Sequence, residues 1–164
     1  MEERDVFEAL ELVPHPLTIV CSGDVESGRI NGMTAAWVSR VSWDPPMLAV
    51  AIAPERYTLE LIKEFREFTV NVVSPSLVRA AMEVFGMLSG RSVNKFERAG
   101  VRYRRGRRVR APILEEAHAA FECVLEAMYG AGDHVIVVGR VVNAWIGGLN
   151  PVIWYRESTH ELRT

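Results

Sequence analysis

Along this chain the spacing of apolar side chains changes several times, and each change marks an element. Val6, Phe7, Leu10 and Val13 recur at helical intervals, predicting a short helix over Asp5 to Leu12 that Pro14 and Pro16 end. Leu17 to Cys21 suits a strand. Ser22 to Gly32 carries three glycines among polar residues and predicts a turn that delivers the chain to a strand at Met33 to Val41. Asp44-Pro45-Pro46 interrupts pairing, because proline has no N–H to donate, and the nearly unbroken apolar run Met47 to Ala53 predicts a strand buried on both faces. Thr58 is the expected N-cap of a helix over Leu59 to Arg66, with Leu59, Ile62 and Phe65 on one side.

Phe68 to Val73 is β-branched and aromatic, hence a strand. Ser74-Pro75-Ser76 is expected to cap a helix over Leu77 to Leu88, which Gly86 weakens near its end. Ser89 to Gly100 is polar and irregular, and Val101 to Arg110 has the composition of an edge hairpin pushed into water. Ala119 to Met128, His134 to Trp145 and Val152 to Tyr155 supply three more strands, joined by glycine-rich turns. The pattern therefore predicts seven or eight strands and three short helices. A doubly wound parallel sheet would need a helix after nearly every strand, and the last three have none between them. The expected fold is mainly β, an antiparallel sheet closed into a barrel, with helices in the two longer crossovers. With no repeat and no linker, residues 1–164 are expected to form a single domain.

Charge adds little to this picture in total. The 164 residues carry 19 Lys and Arg against 21 Asp and Glu, so net charge does not call for nucleic acid or an acidic membrane. Its placement is uneven, since Arg102, Arg104, Arg105, Arg107, Arg108 and Arg110 crowd one segment. Without these six, 13 basic residues face 21 acidic ones, so the remainder can pair with the run within or between chains. Tyr103 is the only aromatic there, a poor stacking platform for single strands, and a solvated or inter-subunit face is preferred to nucleic-acid binding. Cys21 and Cys123 stand singly in apolar surroundings without metal-ligand spacing, as expected of buried thiols in a reducing compartment, although a disulfide between them stays open. The acidic N-terminus is unlike a secretory signal, and the apolar runs are too short to span a bilayer; a cytoplasmic location is expected.

The candidate chemistry starts at Asn31 to Pro46. Short hydrogen-bonding side chains at Asn31, Thr34 and Ser39, a backbone left uncovered at Ala35 and Ala36, and the flat plate of Trp37 suit a strand whose main chain approaches a planar, polar-edged ligand. An edge strand without a ligand has the same composition. No Walker loop or dinucleotide fingerprint is present, so a nucleotide would be held otherwise. Arg56-Tyr57-Thr58 brings a guanidinium, a hydroxyl and helix N–H groups together, a workable phosphate site as well as an ordinary helix start. Lys95, one of only two lysines beside 17 arginines, adds a flexible point charge next to Phe96. His134 opens a strand after a tight turn, facing a barrel mouth. No metal-like histidine pairing or Ser-His-Asp spacing appears.

Taken in order, N-G-M-T-A-A-W-V-S at Asn31, D-P-P at Asp44, P-E-R-Y-T at Pro54, F-T-V-N-V at Phe68, N-K-F at Asn94, A-P-I-L-E-E-A at Ala111 and G-D-H at Gly132 resemble the flavin reductase-like family of FMN-binding split barrels. Within it the likeness is to the branch of flavoredoxin and ferric reductase-like proteins, over about Leu17 to Tyr155. The resemblance implies a Greek-key split β-barrel and a homodimer with non-covalent FMN near the subunit interface. It implies Asn31, Thr34 and Trp37 beside the flavin, with backbone at Ala35 and Ala36 at the ring edge. Arg56, Thr58 and Lys95 would lie near the phosphate, and His134 at the ring or ribityl chain. The activity it implies is NAD(P)H-dependent reduction of FMN and of a second acceptor: free flavin, a ferric complex or a redox protein. Two alternatives are a flavoredoxin-like electron carrier with little nicotinamide activity, and binding of nucleic acid or an acidic partner through Arg102 to Arg110.

Overall fold

The computed structural model describes residues 1–163. In chain order it contains helix α1 (Val6–Leu10), strands β1 (His15–Pro16), β2 (Thr18–Asp24), β3 (Arg29–Ala35), β4 (Val38–Ser42) and β5 (Met47–Ile52), and helix α2 (Tyr57–Phe65). Strand β6 (Glu67–Val72), a 3-10 turn at Pro75–Leu77, a π-helical segment at Ala80–Phe85 and helix α3 (Lys95–Ala99) follow. The chain continues through β7 (Tyr103–Arg105), β8 (Pro112–Leu114), β9 (Ala119–Ala131), β10 (His134–Ile146), β11 (Val152–Tyr155) and β12 (Ser158–Glu161).

Seven strands form one antiparallel sheet in the order β3-β2-β6-β9-β10-β5-β4. Its two edge strands, β3 and β4, are consecutive in sequence and joined only by Ala36 and Trp37. Two residues reach no more than about 7 Å, so the sheet must curl until its edges nearly meet, and this linkage makes it a barrel. The dipeptide is tied in by Val38 N–H donating to Ala36 O and Ala51 N–H donating to Trp37 O, both 3.0 Å. Mainly antiparallel β structure is thus as the sequence pattern predicts, and α2 and the π segment with α3 fill the two longer crossovers.

Two apolar layers hold the barrel. Inside it Val20, Met33, Val50, Ile52, Phe68, Val70 and Val137 pack against Leu59 and Ile62 of α2, which plugs the opening. Outside, Ile19 and Cys21 of β2 meet Val73, Leu77, Phe85, Phe96 and Leu114. Side chains alternate along a strand, so β2 feeds Val20 to one layer and Ile19 and Cys21 to the other. The strand buried on both faces is therefore β2. In β5, by contrast, only Val50 and Ile52 are buried, so the apolar run at Met47 to Ala53 marks a strand with one covered face.

Other expectations shift too. The strand predicted over Met33 to Val41 breaks at Ala36-Trp37, and the turn predicted over Ser22 to Gly32 shrinks to Val25–Gly28, so Asn31 lies within β3. Instead of one helix over Leu77 to Leu88, the chain makes the 3-10 turn and then a wider π turn, with Gly86 N–H reaching Ala81 O at 2.9 Å. Thr34 Oγ1 adds a second hydrogen bond to the same Ala81 O at 2.5 Å, and Lys95 reaches Phe85 O. Helix α3 falls in the segment expected to be irregular. Its signals are Asn94, whose Oδ1 accepts from Phe96 and Glu97 N–H, and Gly100, at φ 64°. The arginine segment forms β7 and the turn of the β7–β8 hairpin, a separate two-stranded sheet whose second strand is buried. Strands β1 and β12 add to β11, giving more strands than expected.

Candidate functional site

A groove runs from the β3–β4 linkage to the start of α2. Its first part, a cavity of about 150 Å³, is lined by Thr34, Ala35, Ala36, Trp37, Ala51 and His134, among others. Its second part, about 310 Å³, is lined by Asn31, Thr58, Lys95, Tyr57, Gly90 and Arg91, among others. Met33 and Arg56 line both, so the two parts adjoin. All nine residues singled out from the sequence lie on the groove wall, although they come from β3, its linkage to β4, α2, α3 and β10.

At the narrower end small side chains leave room beside one large plate. Trp37 is 53% exposed and its ring lies 4.7 Å from that of His134, tilted by 50°. His134 Nδ1 donates to Asp133 Oδ1 at 2.7 Å, because a carboxylate there can only accept; in the neutral ring Nε2 is then an acceptor. That imidazole holds the Asp133 carboxyl below the usual range. Thr34 spends its proton on Ala81 O. The Ala35 carbonyl accepts from Thr18 Oγ1 at 2.6 Å, whereas Ala36 lies outside either strand. The wall therefore offers alanine methyls, an indole face and an imidazole, which suits a flat aromatic ring.

The wider end is cationic. Arg56, not Thr58, is the N-cap of α2, and its side chain makes no capping hydrogen bond. Thr58 is instead fully buried inside the first turn, where its Oγ1 accepts from Asn31 Nδ2 at 3.0 Å. The Asn31 side chain therefore braces β3 against α2. Helix N-termini carry unsatisfied N–H groups and a partial positive charge, so an uncapped α2 start on the groove wall favours an anion.

Lys95 is not the mobile loop charge expected from sequence. It opens α3, is 4% exposed, and donates from Nζ to Gly32 O at 2.9 Å and Phe85 O at 3.1 Å. Burial, helped by the nearby charge of Arg56, lowers its pKa to about 8. Opposite, Gly90 comes so close that a Cβ there would stand 1.9 Å from Asn31 Oδ1. Gly90 and Arg91 carry no signal in the sequence alone, whereas Tyr57 belongs to the Arg56-Tyr57-Thr58 stretch already singled out. A glycine in a polar loop is commonplace, and nothing local indicates that it packs against Asn31. Arg91 is held by the Glu60 carboxylate and by Glu55 O, with its guanidinium 5.2 Å from the Tyr57 ring.

The arginine segment is largely answered within the chain. Arg102 lies 3.7 Å from Glu115 and Glu116, Arg105 lies 3.3 Å from Glu26, Arg110 pairs with Glu67, and Arg104 stacks on Trp145 at 4.4 Å. Its turn wraps the carboxylate of Glu122, a fully buried residue that the sequence reading did not single out. Both cysteines are free, Cys21 in the outer apolar layer and Cys123 inside the barrel, and burial pushes their thiols up to about 12. Among the described residues no helix is long and apolar enough to cross a membrane.

The profile of the flavin reductase like domain matches residues 10–163. An uncharacterised protein of Aeropyrum pernix is 39% identical over 164 residues, covering 96% of this chain and 62% of its own length. The chain thus spans under two thirds of that relative. An NADH-dependent flavin reductase of a Rhodococcus species is 28% identical over 147 residues, 89% of this chain and 78% of the relative. Among solved structures, flavoredoxin of Desulfovibrio vulgaris (Miyazaki F) superposes with a TM-score of 0.87 at 25% identity, covering 99% of this chain and 94% of the other.

Proposed function

This chain belongs to the flavin reductase-like family, and on that premise we propose that it binds FMN non-covalently in the groove and works as an NAD(P)H-dependent flavin or ferric reductase. What supports the reading is that an aromatic, small-residue end adjoins a cationic end, the two chemistries that a flavin ring and its phosphate require. Thr34, Ala35, Ala36, Trp37 and His134 would hold the ring. Asn31 braces β3 against α2, while Arg56, the α2 N-terminus at Thr58 and Lys95 would meet the phosphate. Bound flavin supplies the hydride and electron chemistry, accepting from reduced nicotinamide and passing on to free flavin, a ferric complex or a redox protein. The protein's part is to orient the ring against Trp37, to exclude water with the Ala51 and Ala53 side of the groove, and to neutralise the phosphate.

The working form is proposed to be a cytoplasmic homodimer forming a single domain per chain. A second reading, an electron carrier with little nicotinamide activity, is favoured by the likeness to flavoredoxin. Mixing FMN-loaded protein with NADH and with NADPH in the absence of air separates the two. Prompt loss of the oxidised flavin absorbance supports the reductase; an unchanged spectrum with both nucleotides, in protein that dithionite still reduces, supports the carrier.

A further inference from the structure

Lys95 is the unusual charge in this molecule. Buried lysines are rare and are normally paired with a carboxylate. Here the ammonium is nearly inaccessible, and its two partners are the Gly32 and Phe85 carbonyls. An ammonium has three N–H donors, so one is left over on the wall of the wider cavity.

Its surroundings do little to hold the charge. From β2 the buried Cys21 thiol lies beneath it, kept neutral because burial pushes its pKa up to about 12. From the start of α2 come Arg56, which repels it, and Glu55 and Tyr57 on the same wall; from the loop before α3 comes Arg91, already engaged by Glu60. β3 and the π segment contribute uncharged carbonyls.

We propose that Lys95 determines the specificity for phosphorylated flavin through a proton: anion binding and protonation of its amine occur together, so the groove holds FMN at neutral pH and releases it in alkali. This rests on the flavin reading above and adds a regulation to it. The physical reason is linkage. An amine whose pKa is about 8 in the empty groove is partly discharged under mildly alkaline conditions. A phosphate dianion at hydrogen-bonding distance raises that pKa, and the free energy of raising it appears as binding. Riboflavin has the same ring and no phosphate, so it gains nothing from the ammonium.

The test compares FMN and riboflavin by fluorescence titration from about pH 7 to pH 10. With the amine near 8, the affinity for FMN falls about 25-fold between pH 7.5 and 9.5, while riboflavin stays level. Ionisation of the flavin ring is common to both ligands and cancels in their ratio. The phosphate itself is already a dianion, with its second pKa near ~6. Calorimetry in two buffers of different ionisation enthalpy should register uptake of about 0.8 proton per FMN at pH 8.5, and none for riboflavin. In Lys95→Met the FMN-to-riboflavin ratio falls to the level that Arg56 and the α2 N-terminus sustain and loses its pH dependence, and riboflavin binding reports that the groove is still formed. A flat FMN-to-riboflavin ratio across pH in the wild type, or a ratio in Lys95→Met that still falls with pH as in the wild type, overturns the proposal. Binding of neither flavin by folded protein would instead remove the flavin reading, and this role with it.

Discussion

Replacing Glu122 by Gln changes no volume and removes one charge, yet the structure assigns it a large effect. Oε1 accepts from Arg107 N–H at 3.1 Å, Asn143 Nδ2 at 2.7 Å and Trp145 Nε1 at 2.7 Å, while Oε2 accepts from Arg108 N–H at 2.6 Å and Val109 N–H at 3.0 Å. A carboxylate satisfies all these donors. A carboxamide cannot, because one of its two positions is itself an NH₂, so whichever way it turns it faces at least two N–H groups. Each buried donor left without an acceptor costs about 1–3 kcal/mol, so the variant should lose about 2–6 kcal/mol at neutral pH. Against a typical domain stability of about 5–15 kcal/mol, that is a large fraction.

Acid should act in the same direction on the wild type. Burial pushes the Glu122 pKa up, but hydrogen bonds from Asn143, the Arg108 N–H, Trp145 and the Arg107 N–H outweigh it and hold the carboxyl below its ordinary range. A group depressed in the folded state contributes stability above its unfolded pKa and loses it as pH falls through the folded value. Urea unfolding of both proteins from neutral pH down to about pH 3 should therefore show a gap that narrows in acid, because Gln has no such contribution to lose. A Glu122→Gln protein within about 0.5 kcal/mol of wild type at neutral pH, or a gap that ignores pH, would refute the reasoning.

Three further outcomes are expected. Trp37→Ala should weaken flavin binding by about five- to 150-fold, the worth of one stacking face, while thermal melting barely moves, since the side chain is half exposed. Gly90→Ala should abolish tight FMN binding because its methyl would overlap Asn31 Oδ1; titration beside a thermal melt distinguishes a closed groove from an unfolded chain. Cys21 and Cys123, with thiols raised to about 12, should resist a disulfide reagent at mildly alkaline pH and react fully in denaturant, so rapid reaction of native protein would contradict their burial.

Strand existence was legible because alternation and glycine-rich turns are local signals, and the antiparallel barrel followed from turns replacing helices between the last long strands. Lengths were less legible. A run such as Met47 to Ala53 reads as doubly buried, but whether a second layer covers a strand depends on distant residues, here Phe85 and Phe96 over β2. The break at Ala36-Trp37 has no local cause; it is the closure of the barrel, a property of the whole sheet. Thr58 looked like a cap because hydroxyls cap helices, and it was drawn inside by Asn31, 27 positions earlier. Lys95 stood out by rarity, not by any sign of burial, and Glu122, alone in the apolar stretch from Ala119 to Leu125, left a mark that went unread.

The groove between Trp37 and Lys95 is proposed as a seat for FMN. Equilibrium titration of the purified, folded protein with FMN, followed by flavin fluorescence, tests it most directly. Saturable quenching with one FMN per chain, reduced in Trp37→Ala, is the expected result. Flavin fluorescence that stays that of free FMN through an excess of well-folded protein would contradict it.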